Sequence, residues 1–267
     1  MLGGSALIVG LARNCAVGLA ATLPRLGRFS GSFDEVEYVI VTNDSADHTP
    51  APLKAWSLER TNARIIEISG LSQNVPIRSR RLAVCRNICL SQWKTATENG
   101  RNYDYFVVLD LDGLNANLID EPNFSTTVLS APRDWGAVFA NQRDLYYDIW
   151  ALRHSEWCPN DCWEEVHNYI KRFPIFRQRR RKIAIERYFQ RRAIHLPADS
   201  EPIRVQSAFG GFGIYRPKYL HDAYYLGVAR SGHPICEHVL FHEMIRANGA
   251  TLYILPSLLN DTPQVVG

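Results

Sequence analysis

The sequence predicts an α/β protein, a mostly parallel sheet flanked by helices with one inserted basic segment. Three observations lead there. Apolar runs and helical stretches alternate through the first 140 residues in the order βαβαβαβ. The runs are apolar on both faces, the pattern of strands covered by helices on either side. Charge is uneven as well: the whole chain sums to +3, yet residues 171–192 hold ten basic residues and one acid, leaving −6 for the remainder.

The elements follow in order. Residues 6–9 form a short apolar strand ending at Gly10, and a helix runs over 15–26. A second strand, 36–41, closes on the turn formers Asn43 and Asp44. A helix over 53–60 leads to a third strand at 64–68. A longer helix spans 78–98, with Leu82, Cys85 and Cys89 on one face, and Asn99-Gly100 ends it. The fourth strand is 105–109. Beyond Asp112 the rhythm changes: strands are expected at 137–140 and 145–152, then a Gly-rich strand at 206–215, a helix at 236–247 and a last strand at 251–255. Residues 153–204 are less regular. We expect one domain over 1–267, with a ligand-binding half at 1–115 and a second half at 116–267 that carries the insertion 153–204.

Composition narrows the class. With 46% apolar and 21% charged residues in 267, the chain has material for a core and no case for disorder. A net charge of +3 argues against a dedicated nucleic-acid binder. Six cysteines are too few for a disulfide scaffold. Cys158 and Cys162 have no second ligand pair at zinc spacing nearby, so reduced thiols in a cytoplasmic protein are expected. No stretch is apolar enough to span a membrane.

Polar residues gather where parallel strands end, which is where ligands bind in open α/β sheets. The first strand ends in Gly10-Leu11-Ala12-Arg13-Asn14, the second in Thr42-Asn43-Asp44-Ser45, the fourth in Asp110-Leu111-Asp112. Asp110 and Asp112 flank one residue at a strand mouth, and Gly113 permits a turn there. Carboxylates held that close repel unless a divalent cation sits between them, and that cation would bridge to a diphosphate.

At this point the chain resembles the GT-A-type nucleotide-sugar glycosyltransferases, whose sheet is Rossmann-like, of the kind that build bacterial or viral surface glycans or fungal capsule. Residues 6–14 look like their first strand and loop, and Asn43-Asp44-Ser45-Ala46-Asp47-His48-Thr49 like their second-strand turn. Arg81 to Asn87 resembles the helix before the Asp-x-Asp strand. Leu109-Asp110-Leu111-Asp112 reads as that motif, residues 209–216 as the Gly-rich acceptor-side strand, and 236–242 as the segment carrying an acidic residue and often a metal-binding His. Residues 146–153 are similar to the surface-glycan enzymes.

The resemblance implies a UDP- or GDP-type nucleotide-sugar donor bound by Arg13, Asp44, Arg81, Arg86, Asp110 and Leu111. It implies Mn²⁺ or Mg²⁺ held by Asp110 and Asp112, with His242 as a third candidate. Glu237, at a helix start across the cleft, is the expected general base for an inverting transfer. His238 shares a helix face with His242 and joins Trp150, Gly210 and Gly211 as an acceptor-side candidate. The acceptor would be a glycan or a lipid-linked glycan. The basic segment 171–192 mixes cations with Phe173, Ile175, Phe176 and Ile183, which suits a peripheral contact with anionic lipid or an acidic polysaccharide, or else a solvated surface loop. Two alternatives compete with transfer. A sugar-nucleotide pyrophosphorylase needs a Gly-rich basic loop after the first strand, which Gly10-Leu11-Ala12-Arg13 lacks. A non-catalytic nucleotide- or glycan-binding module of the same fold stays open.

Overall fold

The computed structural model describes residues 1–120, 122–172 and 176–261; Phe173 and Ile175 of the basic segment lie outside them. The amino-terminal half runs β1 (Ser5–Ala12), α1 (Ala16–Ser30), β2 (Glu35–Asn43), α2 (Pro50–Leu58), β3 (Ala63–Ile68), α3 (Leu71–Asn74), α4 (Arg78–Glu98) and β4 (Tyr105–Asp110). The chain continues through α5 (Phe124–Leu129), β5 (Trp135–Gln142), α6 (Cys162–Arg172), α7 (Arg177–Tyr188), β6 (Ile203–Val205), β7 (Phe212–Tyr215), α8 (Glu237–Ala247) and β8 (Thr251–Asn260). The strands form one eight-stranded sheet in the order β3-β2-β1-β4-β7-β5-β8-β6. The pairs β1–β2, β1–β4, β2–β3 and β5–β8 are parallel, and the pairs of β7 and β6 are antiparallel.

Alternation along the strands divides the core between the two faces of the sheet. Leu7, Val9, Val39, Val41, Phe106 and Val108 pack against α4 and α8 on one face. Ala6, Ile8, Ile40, Val107 and Leu109 pack against α1 on the other. The strand order matters for function. From β1 the chain moves outward through β2 to β3, then crosses back to place β4 on the other side of β1. Strand order therefore reverses between β1 and β4, and the crevice of an open α/β sheet forms at such a point.

Close packing fixes the lip of that crevice. A Cβ on Gly18 of α1 would lie 2.0 Å from the Asp112 carbonyl, so only glycine lets the helix meet the turn after β4 backbone to backbone. Gly113, with φ +101°, completes the turn in a conformation that favours glycine.

Three expectations from the sequence are corrected. Residues 145–152 are not a strand. Tyr146, Ile149, Ala151 and Leu152 are buried at 0% exposure, but their main chain bonds to loops, as in Tyr146 N–H to Ile194 O at 2.9 Å. The apolar pattern recorded burial there rather than pairing. The Gly-rich strand is only the four residues of β7, because Gly210 and Gly211, with φ of +63° and +84°, turn the chain before it. The insertion is also more regular than its sequence suggests: α6 and α7 form a hairpin, and β6 joins the sheet edge beside β8.

Candidate active site

The loops after β1 and β2 are laced together by their own polar side chains. Asn14 Oδ1 accepts from the Ala46 N–H at 2.7 Å, Thr49 Oγ1 from the Cys15 N–H at 2.8 Å, and Asp47 Oδ2 from the Ala16 N–H at 3.1 Å. The Asn43–Thr49 motif thereby supplies acceptors for the first N–H groups of α1. Asn14 and Asp44 both adopt left-handed backbone, φ +52° and +43°, which their residue types tolerate. Asp44 accepts the Gly70 and Ser72 N–H groups, one on each oxygen and each at 2.6 Å. Those donors, Ser72 first, hold its carboxyl below the usual carboxylate range. Asp44 is therefore an anchor for the start of α3, and the Arg13 Nε–H donates to its carbonyl at 3.4 Å.

A cavity of about 280 Å³ opens at the carboxyl ends of β1 and β4. Arg13, Arg81, Asp110, Leu111 and Asp112, all named as candidates from the sequence, line it together. Asn43, part of the polar cluster at the end of the second strand, lines it too, as does Arg78, which was not foreseen; Arg78 precedes Arg81 by three residues and so shares its face of α4. The Leu111 side chain is 1% exposed and packs beneath Gly10, where a Cβ would sit 2.8 Å from Leu111 Cδ1. A larger cavity, about 940 Å³, lies at the opposite end of β2 and β3, away from the strand ends that carry the polar clusters.

Beneath this cavity lies Arg86, 4% exposed. Its Nε–H donates to Glu237 Oε1 at 2.9 Å and its Nη2 to Asp110 Oδ1 at 3.1 Å, while the guanidinium carbon sits 4.7 Å from the Phe209 ring centre. Burial works against the charge, but Asp110 and then Glu237 more than compensate, raising the Arg86 pKa above its ordinary value. Burial pushes Asp110 up to about 7; Arg86 opposes this, and the nearby charges of Asp112 and Glu237 add to it. Asp112 is exposed at the turn, and its Oδ1 accepts from the Leu114 N–H at 3.2 Å.

A buried amide network, invisible to motif reading, sets the height of Asp110. The Asp110 N–H donates to Gly211 O at 2.8 Å, and Asn115 Nδ2 donates to both Asp110 O (2.9 Å) and Gly211 O (2.8 Å). Asn260 Nδ2 donates in turn to Asn115 Oδ1 (2.9 Å) and Gly210 O (2.6 Å), and Gln142 Nε2 donates to Gly210 O at 3.1 Å. Gly210 and Gly211 are buried in this network. A Cβ would meet Gln142 Nε2 at 2.6 Å from the first and Leu114 Cδ2 at 2.4 Å from the second. They serve the turn behind Asp110 and do not present open space to a sugar.

The histidines and Trp150 also stand apart from the donor-side cavity. His242 is 0% exposed, with Nδ1 2.9 Å from Ser207 Oγ and Nε2 2.9 Å from Tyr215 Oη. Ser207 donates its own proton to Ala151 O at 2.6 Å, so it accepts from Nδ1–H and Tyr215 donates to Nε2. Both ring nitrogens are engaged, which leaves none for a metal. His238, 1% exposed, stacks on Phe209 with ring centres 3.9 Å apart, behind Glu237. Trp150 lines a separate cavity. Asp148, absent from the sequence expectations, faces the region between: its Oδ2 accepts the Gly210 N–H at 3.0 Å, and burial raises its pKa. The resemblance over residues 146–153 included it, but no role fell to it, since it sits inside an apolar run read as strand.

Among the described residues no group of three or more His, Cys, Asp or Glu side chains converges on a metal position. Asp110 and Asp112 nonetheless fit a Mg²⁺-type ion, which takes one or two carboxylates and completes its shell with water and phosphate oxygens. The donors are hard oxygens, and Asp110 Oδ2 is not engaged by Arg86.

No family model and no curated protein matches the chain. Solved structures do. A crystal structure of TarS residues 1–349 from S. aureus superposes with a TM-score of 0.51 at 12% identity, over 96% of this chain and 59% of that one. The fold is GT-A. The same TarS segment in complex with UDP-GlcNAc gives a TM-score of 0.51 at 12% identity, over 98% of this chain and 59% of that one. A mannosyltransferase, PcManGT from Pyrobaculum calidifontis in complex with GDP-Man and Mn²⁺, gives 0.47 at 13% identity, over 98% and 58%. The chain thus spans less than two thirds of the length of these GT-A structures.

Burial pulls the His242 pKa down to about 3. The unfolded chain, with an ordinary His near 6.5, then binds more protons than the folded one between those values, so stability falls as pH drops below about 6.5. From pH 7 to 5 this costs about 2 kcal/mol, at ~1.4 kcal/mol per pH unit. Asp110, whose pKa is raised, works in the opposite direction over the same range, so the measurement is the difference: in urea denaturation at both pH values, the native protein should lose about that much more than His242→Gln, which can still pair with Ser207 and Tyr215.

Proposed function

We propose that the protein is a metal-dependent glycosyltransferase that moves a sugar from a UDP- or GDP-type nucleotide-sugar donor to a glycan or lipid-linked acceptor. The observation that carries the reading is the cavity at the strand-order reversal, where Arg13, Arg78 and Arg81 surround the Asp110–Asp112 pair. Three cations and two carboxylates suit a diphosphate bound with a divalent ion, and the GT-A likeness to a TarS structure holding UDP-GlcNAc supports the same ligand class. Arg13 and the Asp44 loop face the nucleoside side, and Arg78 and Arg81 the phosphates. Asp112, with Asp110, would hold Mn²⁺ or Mg²⁺, which when bound offsets charge on the departing diphosphate. Arg86 lies below and keeps Asp110 oriented.

Glu237 is the proposed base, deprotonating the acceptor hydroxyl in an inverting displacement. Arg86 occupies its Oε1, so Oε2, touched only by the Cys236 thiol at 3.9 Å, is the oxygen that takes the proton. Asp148 is a second reading for this role, favoured by its partial exposure and raised pKa against the 3% exposure of Glu237.

Three substitutions test these roles. With Mn²⁺, UDP- or GDP-sugars should raise the melting temperature of the native protein, by the equivalent of ~2.7 kcal/mol at a hundredfold excess over Kd. Asp112→Ala should abolish the metal-dependent part, and an unchanged shift would remove the cation from this site. Glu237→Gln should keep donor binding and lose about 10²- to 10⁴-fold in transfer rate, the usual worth of a general base. If Glu237→Gln transfers normally and Asp148→Asn does not, the base is Asp148. Binding with no transfer to any acceptor in the native protein would favour the non-catalytic module.

We also propose that the α6–α7 hairpin makes a peripheral contact with anionic lipid. Among the described residues no helix is long and apolar enough to cross a membrane. Helix α7 carries Arg177, Arg179, Arg180, Arg181 and Lys182 in its first half, beside Phe176 at 75% and Ile183 at 38% exposure. Each basic residue at such a surface is worth about 1 kcal/mol. Neutralising Arg179, Arg180 and Arg181 to Gln should therefore weaken cosedimentation with phosphatidylserine vesicles on the order of a hundredfold, and unchanged binding would reject the contact.

A further inference from the structure

Helix α6 and the loop before α8 each present a histidine to one cavity of about 370 Å³, and neither residue has a part in the site described above. The rings of His167 and His233 lie 5.4 Å apart, centre to centre, tilted by 51°. Both residues are exposed, and no hydrogen bond or ion pair among the described residues engages either imidazole. Their ring nitrogens are open to a partner from outside.

The two backbones that carry them are held independently. Asp161 caps the start of α6, its Oδ1 accepting the Trp163 and Glu164 N–H groups at 3.0 Å each, and its Oδ2 pairs with the buried Arg153 at 2.6 Å. His233 sits in a tight turn. The Ala229 N–H donates to His233 O and the Gly232 N–H to Ala229 O, each at 2.9 Å, with Gly232 at φ +82°. The base of that turn is pinned to α4, where Ser79 Oγ donates to Gly227 O at 2.6 Å and a Cβ on Gly227 would lie 2.1 Å from the Ser79 carbonyl carbon.

Their separation suits one ion shared by both rings. A tetrahedral ion bound to a nitrogen of each ring at ~2.1 Å puts the ring centres about 5 Å apart. Imidazole favours borderline ions such as Zn²⁺, Ni²⁺ and Cu²⁺, whereas Mg²⁺ and Mn²⁺ suit the oxygens of Asp110 and Asp112. Glu164 precedes His167 by three residues, so it shares that face of α6, and it lines the same cavity. As placed it does not complete a three-ligand set with the rings. Its carboxylate offsets the charge of an ion that two imidazoles hold and water otherwise surrounds.

We infer that His167 and His233 form a second cation site, for a borderline divalent ion of the Zn²⁺ kind, and that the bound ion ties α6 to the loop before α8. The site stands or falls independently of the transferase reading.

Calorimetric titration of the protein with Zn²⁺ in excess Mg²⁺ tests it, since Mg²⁺ occupies carboxylate pairs and leaves imidazoles free. The six cysteines are buried, which keeps their thiols out of the competition. Zn²⁺ should bind the native protein and raise its melting temperature. His167→Ala and His233→Ala should each weaken binding tenfold or more and remove the melting shift. Both positions are exposed, so neither change disturbs the core. His221→Ala, at another exposed histidine, should leave both readings unchanged. With Cu²⁺, electron paramagnetic resonance should show two coordinated nitrogens in the native protein and one in each variant. No Zn²⁺ binding by the native protein, an affinity unchanged in either variant, or an equal loss in His221→Ala overturns the site. A Cu²⁺ spectrum that neither substitution alters does the same.

Discussion

The buried guanidinium of Arg86 is the constraint on which the rest of the site depends. It comes from α4 in the first half of the chain, yet one of its carboxylate partners, Asp110, ends β4 and the other, Glu237, begins α8. Taking these charges from water costs several kcal/mol per ion, so the cluster is a poor source of stability compared with apolar packing. What it supplies is geometry. Two hydrogen bonds from one planar group fix the separation of Asp110, at the cavity, from Glu237, at the start of α8. Lysine would offer a point charge and lose that fixed angle. The Phe209 ring beneath the guanidinium adds a face it can stack on, while its remaining nitrogen, Nη1, has no hydrogen-bond partner among the described residues.

Around this bridge the chain spends its polar residues on loops. Asn14, Asp44, Asp47 and Thr49 bind main chain rather than solvent, and they tie the ends of β1 and β2 to the starts of α1 and α3. Asn115, Gln142 and Asn260 do the same behind β4, where two glycines turn the chain under Asp110. A loop held by fully satisfied buried amides has few alternative arrangements. The carboxylates at the cavity mouth are therefore set by rigid supports on both sides, which is what a pre-organised diphosphate site needs.

Much of this was legible from the sequence where local patterns and tertiary structure agree. Helix α4 occupies 78–98, as its periodicity predicts, because its buried stripe of Ala83, Cys85 and Cys89 is also its packing face. β1, β2 and β4 were legible because both their faces are largely covered, and runs of apolar residues then have one explanation; β3, the half-exposed edge strand, was legible from its Ile65-Ile66 and Ile68 alone. The same reasoning failed at 145–152, where an apolar run is buried without a sheet neighbour, and it hid Asp148 there. It also misjudged the two histidines of α8. Their spacing places them on one face, but that face looks into the core, where Tyr215 and Ser207 occupy His242. Spacing shows which side chains share a side of a helix and is silent on what lies opposite. The amide network was unreadable for a related reason: Asn115, Gln142 and Asn260 are far apart in sequence and meet only once β4, β5 and β8 are aligned.

The charge balance of the site explains why donor and acceptor sides differ so much in character. Asp110, Asp112 and Glu237 outnumber Arg86, and burial with mutual repulsion already pushes Asp110 up to about 7. A further anion on the Glu237 side would deepen that repulsion. The arginines that could offset it, Arg13, Arg78 and Arg81, all lie on the other side, around the donor cavity. An anionic group is therefore welcome on one side of the bridge only. Under the proposed function, that asymmetry places the diphosphate on the side of Arg13, Arg78 and Arg81.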